Sequence, residues 1–327
     1  MARKSPAVIG SLGAGRMGRG IAHAFAFAGH TVWLIDVKPR SAADVKRLEQ
    51  DARDEVKASL ALLASLGAFD KKKIPAILKR IRFASREQAP AALQAVDFLF
   101  EGVPEVMAAK SEAFAFACRH LRKDAIVTST TSTFLVDDVA PMVKGRARFL
   151  NAHWLNPAYL IPLVEVSPHA KTSKTVTRRF CDLLESIGKV PVLCKPAPGF
   201  IVPRLQSLVM NEAARMVEDG VATAEAIDRA VRYGFGFRYA NMGAVEFIDF
   251  GGVDILHFAG NYLADKLGER YRPPPIVARY MKEGKRGLRE GVGFYDWRKV
   301  DVPAYRREAI GRMVSMLKFM KRLPRPK

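Results

Sequence analysis

The chain has 327 residues, of which 49% are apolar, so it is long enough for two domains and has material for packed cores, which excludes a wholly disordered protein. Its formal net charge of +20 suits a solvated basic surface, attraction of a polyanionic ligand, or binding of nucleic acid. Because no zinc-finger, RRM or helix-turn-helix signature accompanies the charge, we expect no nucleic-acid partner.

The first elements in chain order form a βαβ unit. The apolar run Val8–Leu12 predicts a strand, residues 17–28 predict a helix, and Thr31–Ile35 predicts a second strand. Residues 41–81 are then helical in pattern, as a long amphipathic helix followed by a shorter one at about 72–81. An ordinary crossover does not need so much helix, so we interpret this segment as an excursion with contacts of its own.

Strands and helices alternate up to residue 194. We predict strands at 96–100, 125–127, 148–152, 162–166 and 190–194, and helices at 104–121 and 174–187. This alternation indicates the α/β class, with a Rossmann-type doubly wound sheet.

The strand pattern stops at a linker rich in proline and glycine, residues 195–199. Helical patterns follow at about 200–220, 223–234, 243–266, 274–283 and 302–321. The sequence therefore predicts a sheet-based domain at 1–196, which contains the excursion, and a mostly α-helical second domain at 197–327.

Cysteine use and hydropathy bear on the compartment. Cys118, Cys181 and Cys194 are far apart and odd in number, which fits a reducing environment. The first apolar run is too short and broken for a signal peptide, and no stretch is apolar enough to span a bilayer. We expect a cytoplasmic protein without a membrane partner, and we predict no metal site.

A glycine-rich turn separates the first strand from the first helix. The run Gly13-Ala14-Gly15-Arg16-Met17-Gly18 has the spacing Gly-x-Gly-x-x-Gly. Gly13 permits the tight turn, Gly15 lets the backbone approach a pyrophosphate, and Gly18 lets helix and strand pack closely. A strand before the motif and a helix after it favour a dinucleotide site over a mere turn.

The end of the second strand bears on the choice of dinucleotide. Asp36 could bind the ribose hydroxyls and would repel a 2′-phosphate, which favours NAD over NADP. Lys38 and Arg40 act in the opposite direction, since a nearby basic residue could accommodate the phosphate.

Among six histidines, His153 ends a predicted strand, where open α/β sheets place their ligands. Glu165 follows twelve residues later on the next strand and could hold the imidazole as a base for alcohol oxidation. A satisfied buried histidine is the alternative. The hydroxyls at Thr128–Thr133 could bind substrate or nicotinamide ribose, or cap the next helix.

Together these motifs resemble the 3-hydroxyacyl-CoA dehydrogenase family over nearly the whole chain. Besides the glycine turn, the matching pieces are Glu101-Gly102-Val103-Pro104-Glu105 with Lys110, Ser129-Thr130-Thr131-Ser132, Ala152-His153-Trp154-Leu155-Asn156-Pro157, Leu163-Val164-Glu165-Val166, Pro198-Gly199-Phe200-Ile201-Val202 and Gly291-Val292-Gly293-Phe294-Tyr295.

The resemblance implies roles at the matching positions. His153 would be the base and Glu165 its partner, Ser132 would bond the substrate oxygen and contribute to the cofactor site, and Asn156 would help to arrange the site. By resemblance, the other cofactor positions are Gly13, Gly15, Met17, Gly18, Asp36, Glu105 and Lys110, the last two beside the nicotinamide ribose.

The resemblance also implies a CoA contact, an active site in the cleft between domains, and a homodimer formed through the second domain. The helical excursion contacts CoA in relatives, so its basic residues Arg47, Arg53 and Lys57 are candidates for the substrate site. Arg204 is a further candidate.

Two departures from the family pattern concern the substrate. Pro203 stands before Arg204 where the family has an active-site asparagine, and proline has no side-chain donor. The segments 156–162 and 237–240 look more like the lambda-crystallin branch, which includes L-gulonate 3-dehydrogenase.

These features leave three functions open. The first expectation is NAD-linked oxidation of a short (S)-3-hydroxyacyl-CoA such as 3-hydroxybutyryl-CoA, as in fatty-acid β-oxidation. A dehydrogenase of a free 3-hydroxy acid, such as L-gulonate or carnitine, is the alternative, and a non-catalytic crystallin-like protein is the third possibility.

Overall fold

The computed structural model describes residues 6–324 and residue 326. The chain divides into two compact units, the first ending at Val209 and the second beginning at Met210. Among the described residues, no helix combines the length and the apolar character needed to cross a membrane.

The first unit is built on an eight-stranded sheet. Its strands are β1 (Val8–Leu12), β2 (Thr31–Ile35), β3 (Ile81–Ala84), β4 (Phe98–Glu101), β5 (Ile126–Ser129), β6 (Phe149–Trp154), β7 (Leu163–Pro168) and β8 (Val190–Leu193). They lie in the order β3-β2-β1-β4-β5-β6-β7-β8, and every neighbouring pair is parallel except β6 and β7. The order reverses direction between β1 and β4, which is the switch point where open α/β sheets bind ligands. The predicted Rossmann-type sheet is confirmed.

Helices cover both faces of this sheet. They are α1 (Arg16–Phe27), α2 (Ala42–Ser65), α3 (Ile74–Leu78), α4 (Ala89–Ala95), α5 (Met107–His120), α6 (Val136–Val139) and α7 (Lys174–Ser186). Successive strand residues point to opposite faces, so Phe100 packs in the core on the α1 side and Leu99 in the core on the α5 side.

Three details of the sequence interpretation are corrected. The helical prediction for 72–81 extends too far, because Ile81 begins β3 and pairs with Val32 of β2. Tertiary pairing overrides the local helical pattern there. The helix expected from residue 104 begins only at Met107, and the short helix α4 is an element that the sequence pattern does not predict.

The second unit is helical, as the sequence predicts. After α8 (Val202–Glu218), which crosses the division between the units, it contains α9 (Ala224–Tyr233), α10 (Phe235–Tyr239), α11 (Ala244–Gly251), α12 (Val253–Leu267), α13 (Pro275–Lys282) and α14 (Val302–Phe319). The helix expected at 243–266 is two helices, because Gly252 between them has a φ of +109°.

The Gly-x-Gly-Phe-Tyr segment of the second unit wraps around one buried carboxylate. Asp249 accepts hydrogen bonds at 2.9 Å from the backbone amides of Phe294 and Tyr295 and from the indole nitrogen of Trp297. A side chain at Gly293 would collide with this carboxylate. In this chain, therefore, the glycine of the motif is required by close packing against the Asp249 carboxylate.

Candidate active site

Strand register brings the carboxyl ends of four strands to one edge of the sheet. Leu12 of β1 pairs with Glu101 of β4, Glu101 with Ser129 of β5, and Ser129 with Asn151 of β6. Neighbouring strands are about 4.8 Å apart, so this row spans roughly 15 Å. His153 lies two residues beyond Asn151, and the glycine-rich turn begins directly after Leu12.

The glycine-rich turn has the shape that a dinucleotide pyrophosphate requires. Gly13 has a φ of +107°, and a Cβ there would lie 2.8 Å from the carbonyl oxygen of Gly102. A Cβ on Gly18 would collide with the carbonyl oxygen of Gly13, whereas one on Gly15 would meet nothing within 4 Å. The backbone at Gly15 is therefore open to a ligand.

The first turn of α1 supplies the polar partner for such a ligand. Gly15 is the N-cap of α1, and no side chain of the described residues caps its amides. Unpaired amides at a helix N-terminus attract a phosphate. Met17, half-buried, packs against the apolar core below the turn. These residues fit NAD.

Asp36 lies at the end of β2, as the sequence predicts for the ribose-binding carboxylate. It is buried, and its backbone amide donates to Ala84 of β3 at 2.9 Å. Its carboxylate also forms an ion pair with Arg40. The charge of Asp36 is thus partly balanced before any cofactor binds, while its position at the strand end suits a ribose.

A buried network of charged side chains lies at the carboxyl end of β4, between β1 and β5. The ammonium of Lys110 on α5 is 1% exposed and lies 3.0 Å from Glu101 and 3.1 Å from Glu105. Glu101 also accepts hydrogen bonds from the Ser129 hydroxyl at 2.6 Å and the Val103 amide at 2.8 Å. Burial raises the pKa of Glu101, and the Lys110 ammonium opposes that rise.

Glu105 organises the loop that follows β5. Its carboxylate accepts hydrogen bonds from the hydroxyls of Thr131 and Thr133 and from the amides of Ser132 and Thr133 at 3.1 Å. Burial by itself raises the pKa of Glu105, but the bonds from Thr131 and Thr133 and the charge of Lys110 lower it to about 2. A permanent carboxylate therefore holds the loop, and Ser132 is an exposed residue of that loop.

The histidine and glutamate singled out by the sequence are partners. His153 pairs with Glu165 across the antiparallel β6–β7 ladder, and its Nδ1 lies 2.7 Å from Oε2 of Glu165. The other oxygen, Oε1, accepts hydrogen bonds at 2.8 Å from the amides of Ile201 and Val202. Glu165 is 0% exposed, so every polar contact of this carboxylate is made within the protein.

The structure shows no hydrogen bond or ion pair, among the described residues, between the dyad and the remaining predicted site residues. Asn156 is exposed in the turn after β6, three residues from His153, and Arg204 is exposed in the first turn of α8. On α2, Arg47 pairs with Asp44 at 2.7 Å, while Arg53 and Lys57 are exposed farther along the helix. The roles of these residues stay predictions.

The surroundings of the dyad are not predicted from the sequence. In the sequence Pro198–Val202 is only a motif, whereas in the structure the amides of Ile201 and Val202 donate to Glu165 and the ring of Phe200 stacks with His153. Nothing in the spacing from 165 to 200 signals this contact. The donors are backbone amides, which every residue except proline has, so no residue type in the sequence identifies them.

Comparison with known proteins agrees with this geometry. The model of the 3-hydroxyacyl-CoA dehydrogenase NAD-binding domain matches residues 8–197, and the model of the C-terminal domain of the same family matches residues 199–297. The chain belongs to the 3-hydroxyacyl-CoA dehydrogenase family. It is accordingly an NAD-dependent oxidoreductase. The family models meet near residue 198 and the compact units at 209/210, so the predicted boundary at 196/197 stays a prediction.

Several individual proteins resemble the chain over most of its length. A Bacillus subtilis protein named "Probable 3-hydroxybutyryl-CoA dehydrogenase" is 34% identical over 87% of this chain and 95% of its own length. The crystal structure of a 3-hydroxyacyl-CoA dehydrogenase from Archaeoglobus fulgidus has a TM-score of 0.74 and 29% identity, covering 97% of this chain and 100% of that one. The 5-formyl-3-hydroxy-2-methylpyridine 4-carboxylate 5-dehydrogenase of Mesorhizobium japonicum is 28% identical, over 95% of this chain and 97% of its own.

Proposed function

We propose that the protein oxidises a short-chain (S)-3-hydroxyacyl-CoA to the 3-ketoacyl-CoA, with His153 as the base and Glu165 as its partner. The observation that carries this proposal is the 2.7 Å contact between Nδ1 of His153 and Oε2 of Glu165 at the edge of the sheet that also bears the glycine-rich turn. A carboxylate cannot donate when ionised, so Nδ1–H is the donor and Nε2 is left to accept a proton.

The proposed chemistry divides between the cofactor and the chain. NAD, when bound, supplies the acceptor for the hydride that leaves C3 of the substrate. The hydroxyl proton goes to Nε2 of His153 as the C3–O bond becomes a carbonyl. The imidazolium so formed is stabilised by Glu165, whose second oxygen is held by two amides and therefore cannot turn away.

Two polar side chains are proposed to orient the substrate oxygen. Ser132 presents its hydroxyl from the loop that Glu105 holds, and Asn156 presents an amide from the turn after β6. A substrate that bonds both groups would have its hydroxyl fixed toward His153. Such orientation is a large part of what an active site contributes to rate.

Two observations support a short acyl-CoA as the substrate. The Bacillus subtilis relative carries the name of a 3-hydroxybutyryl-CoA dehydrogenase. The exposed Arg53 and Lys57 on α2, on a chain with a net charge of +20, would attract the phosphates of CoA. On this basis we also propose a role in fatty-acid β-oxidation.

One alternative has an observation in its favour. Pro203 lies in the first turn of α8, immediately after the amides that hold Glu165, and it offers no side-chain donor to a substrate. The Mesorhizobium japonicum relative is named for a pyridine carboxylate and not for a CoA thioester. A free hydroxy acid is therefore the second candidate substrate.

The test measures NADH formation at 340 nm with 3-hydroxybutyryl-CoA and, in parallel, with L-gulonate, L-carnitine and 3-hydroxybutyrate. We expect turnover with the CoA ester alone, and loss of roughly three or more orders of magnitude in kcat for His153→Ala and Glu165→Gln with NAD affinity unchanged. Turnover of a free acid in preference to the CoA ester would establish the alternative. Unchanged kcat in either variant would refute the mechanism.

We further propose that the protein is a cytoplasmic homodimer. Ile255, Phe258 and Tyr262 of α12 are all more than 60% exposed, which is unusual for large apolar side chains and suits an interface. Cys118, Cys181 and Cys194 are free thiols, in keeping with a reducing compartment. Light scattering should give a molar mass twice that of the 36.2 kDa chain. The Phe258→Glu variant should have the mass of a single chain.

A further inference from the structure

The ring of Phe200 stacks nearly parallel to the imidazole of His153. The ring centroids are 5.4 Å apart, and the ring planes differ by only 12°. Phe200 is 5% exposed, yet among the described residues it belongs to none of the clusters that form the apolar core. The aromatic partner of its ring is the imidazole of His153, a polar side chain of the candidate site.

The backbone at Phe200 is held in an unfavourable conformation. Its φ is +45°, a region that costs a residue with a side chain on the order of 1 kcal/mol. Gly199, just before it, also has a positive φ of +71°. A conformation of this kind persists where the surroundings impose it, and it is commonly found at functional sites.

This turn holds both members of the dyad at once. The two amides that follow Phe200, those of Ile201 and Val202, both donate to Oε1 of Glu165 at 2.8 Å. The ring stacks nearly parallel to the His153 imidazole, while the amides hold the carboxylate that binds its Nδ1. Neither group can rotate without disturbing the same three-residue turn.

We propose that Phe200 is a positioning residue for His153. This inference rests on the proposed function of the His153–Glu165 pair. The flat ring limits rotation of the imidazole about its side-chain axis, so that Nε2 keeps one direction toward the substrate hydroxyl. A ring face within about 6 Å also attracts a cation, so Phe200 favours the imidazolium that exists only after the proton has moved.

The decisive comparison is between two phenylalanines. Phe200→Leu keeps an apolar side chain but removes the flat face, and Phe200→Gly also relieves the positive φ. Phe180, fully buried in the core on the α1 side, serves as the matched control, because Phe180→Leu makes the same chemical change away from the dyad. Phe200→Tyr keeps the ring face.

We expect Phe200→Leu and Phe200→Gly to lower kcat roughly 10- to 100-fold with less than about a twofold change in KM for NAD. Phe200→Tyr should retain most of the wild-type kcat, and Phe180→Leu should lose stability without losing kcat. Proton NMR gives a second readout. The Nδ1–H proton of His153 should resonate far downfield in the wild type, and it should broaden or disappear in Phe200→Leu.

The results separate failure of this inference from failure of the proposed function. If His153→Ala keeps wild-type turnover, the proposed function fails and the inference fails with it. A second outcome is that His153→Ala is inactive, while Phe200→Leu and Phe200→Gly have the kcat of Phe180→Leu and keep the downfield resonance. In that case the positioning role alone is refuted. If Phe200→Tyr falls as far as Phe200→Leu although it folds, the ring face is not what matters, which also overturns the inference.

Discussion

Replacing Lys110 by methionine tests whether the buried charge network stabilises the sheet edge. Methionine fills similar space without a charge. Glu101, which is 0% exposed, would then keep, among the residues that the structure describes, only the Ser129 hydroxyl and the Val103 amide as donors. Breaking a buried ion pair by removing one partner costs roughly 3–5 kcal/mol. That is a large part of the roughly 5–15 kcal/mol by which domains are stable.

The assay is a double-mutant cycle in urea. Lys110→Met, Glu101→Gln and the double variant are compared through the transition that Trp33 and Trp154 report, since both lie in the first unit. We expect the double variant to be less destabilised than Lys110→Met alone, because it no longer leaves the buried Glu101 as an unpaired charge. Glu105 also loses the ammonium in both variants, but its side chain is 35% exposed and keeps its hydrogen bonds from the loop after β5.

The control for this cycle is the surface ion pair of α2. Arg47→Ala removes a partner of Asp44 in a pair whose side chains are 73% and 42% exposed, and it should cost less than about 0.5 kcal/mol. A cost for Lys110→Met as small as that of the control would refute the reasoning. Such a result would mean that protonation or hydration of Glu101 stabilises this carboxyl group as well as the Lys110 ammonium does.

Two further predictions concern the glycine turn and acid stability. Gly18→Ala should weaken NAD binding by at least about tenfold in calorimetry, since the new methyl collides with the Gly13 carbonyl. Gly15→Ala, by contrast, should leave the protein's fold intact. Equal NAD affinity in Gly18→Ala and wild type would contradict the assigned packing. The folded pKa of Glu105 is lowered from its usual 4.5 to about 2, so this group stabilises the protein above pH 4.5 and loses that effect as the pH falls toward 2. Because the side chain is 35% exposed, we discount the nominal 3 kcal/mol to about 1–2 kcal/mol. We expect the free energies of urea unfolding of wild type and Glu105→Gln to differ by that amount at pH 7, and the difference to shrink as the pH falls from 4.5 toward 2. A difference that stays constant with pH would exclude an ionised Glu105 as the cause.

Features with a local signature can be predicted from the sequence. Gly13 and Gly18 stand where a side chain would collide with backbone, Gly15 leaves the turn open, and Asp36 follows the second strand. Residue types at short, fixed spacings therefore suffice to indicate the cofactor edge of the sheet. The His153–Glu165 pair is likewise indicated by two residues on consecutive predicted strands, and the structure places them in contact.

Features that depend on tertiary pairing cannot be predicted in the same way. The short strand β3 has no clear local signal, because its four residues acquire their conformation by pairing with β2. The burial of Lys110 is equally unmarked, since a lysine on a helix is usually solvated and only the fold places two carboxylates around it. The left-handed conformation of Phe200 has no sequence signal at all.

The antiparallel pairing of β6 with β7 determines how the site tolerates change. His153 and Glu165 are opposite each other in the ladder, so their separation depends on strand register and not on the length of the connection 155–162. Lengthening that connection would leave the two side chains face to face. A slip of one residue would instead turn one of them to the other side of the sheet, and the pair would be lost without any change in composition.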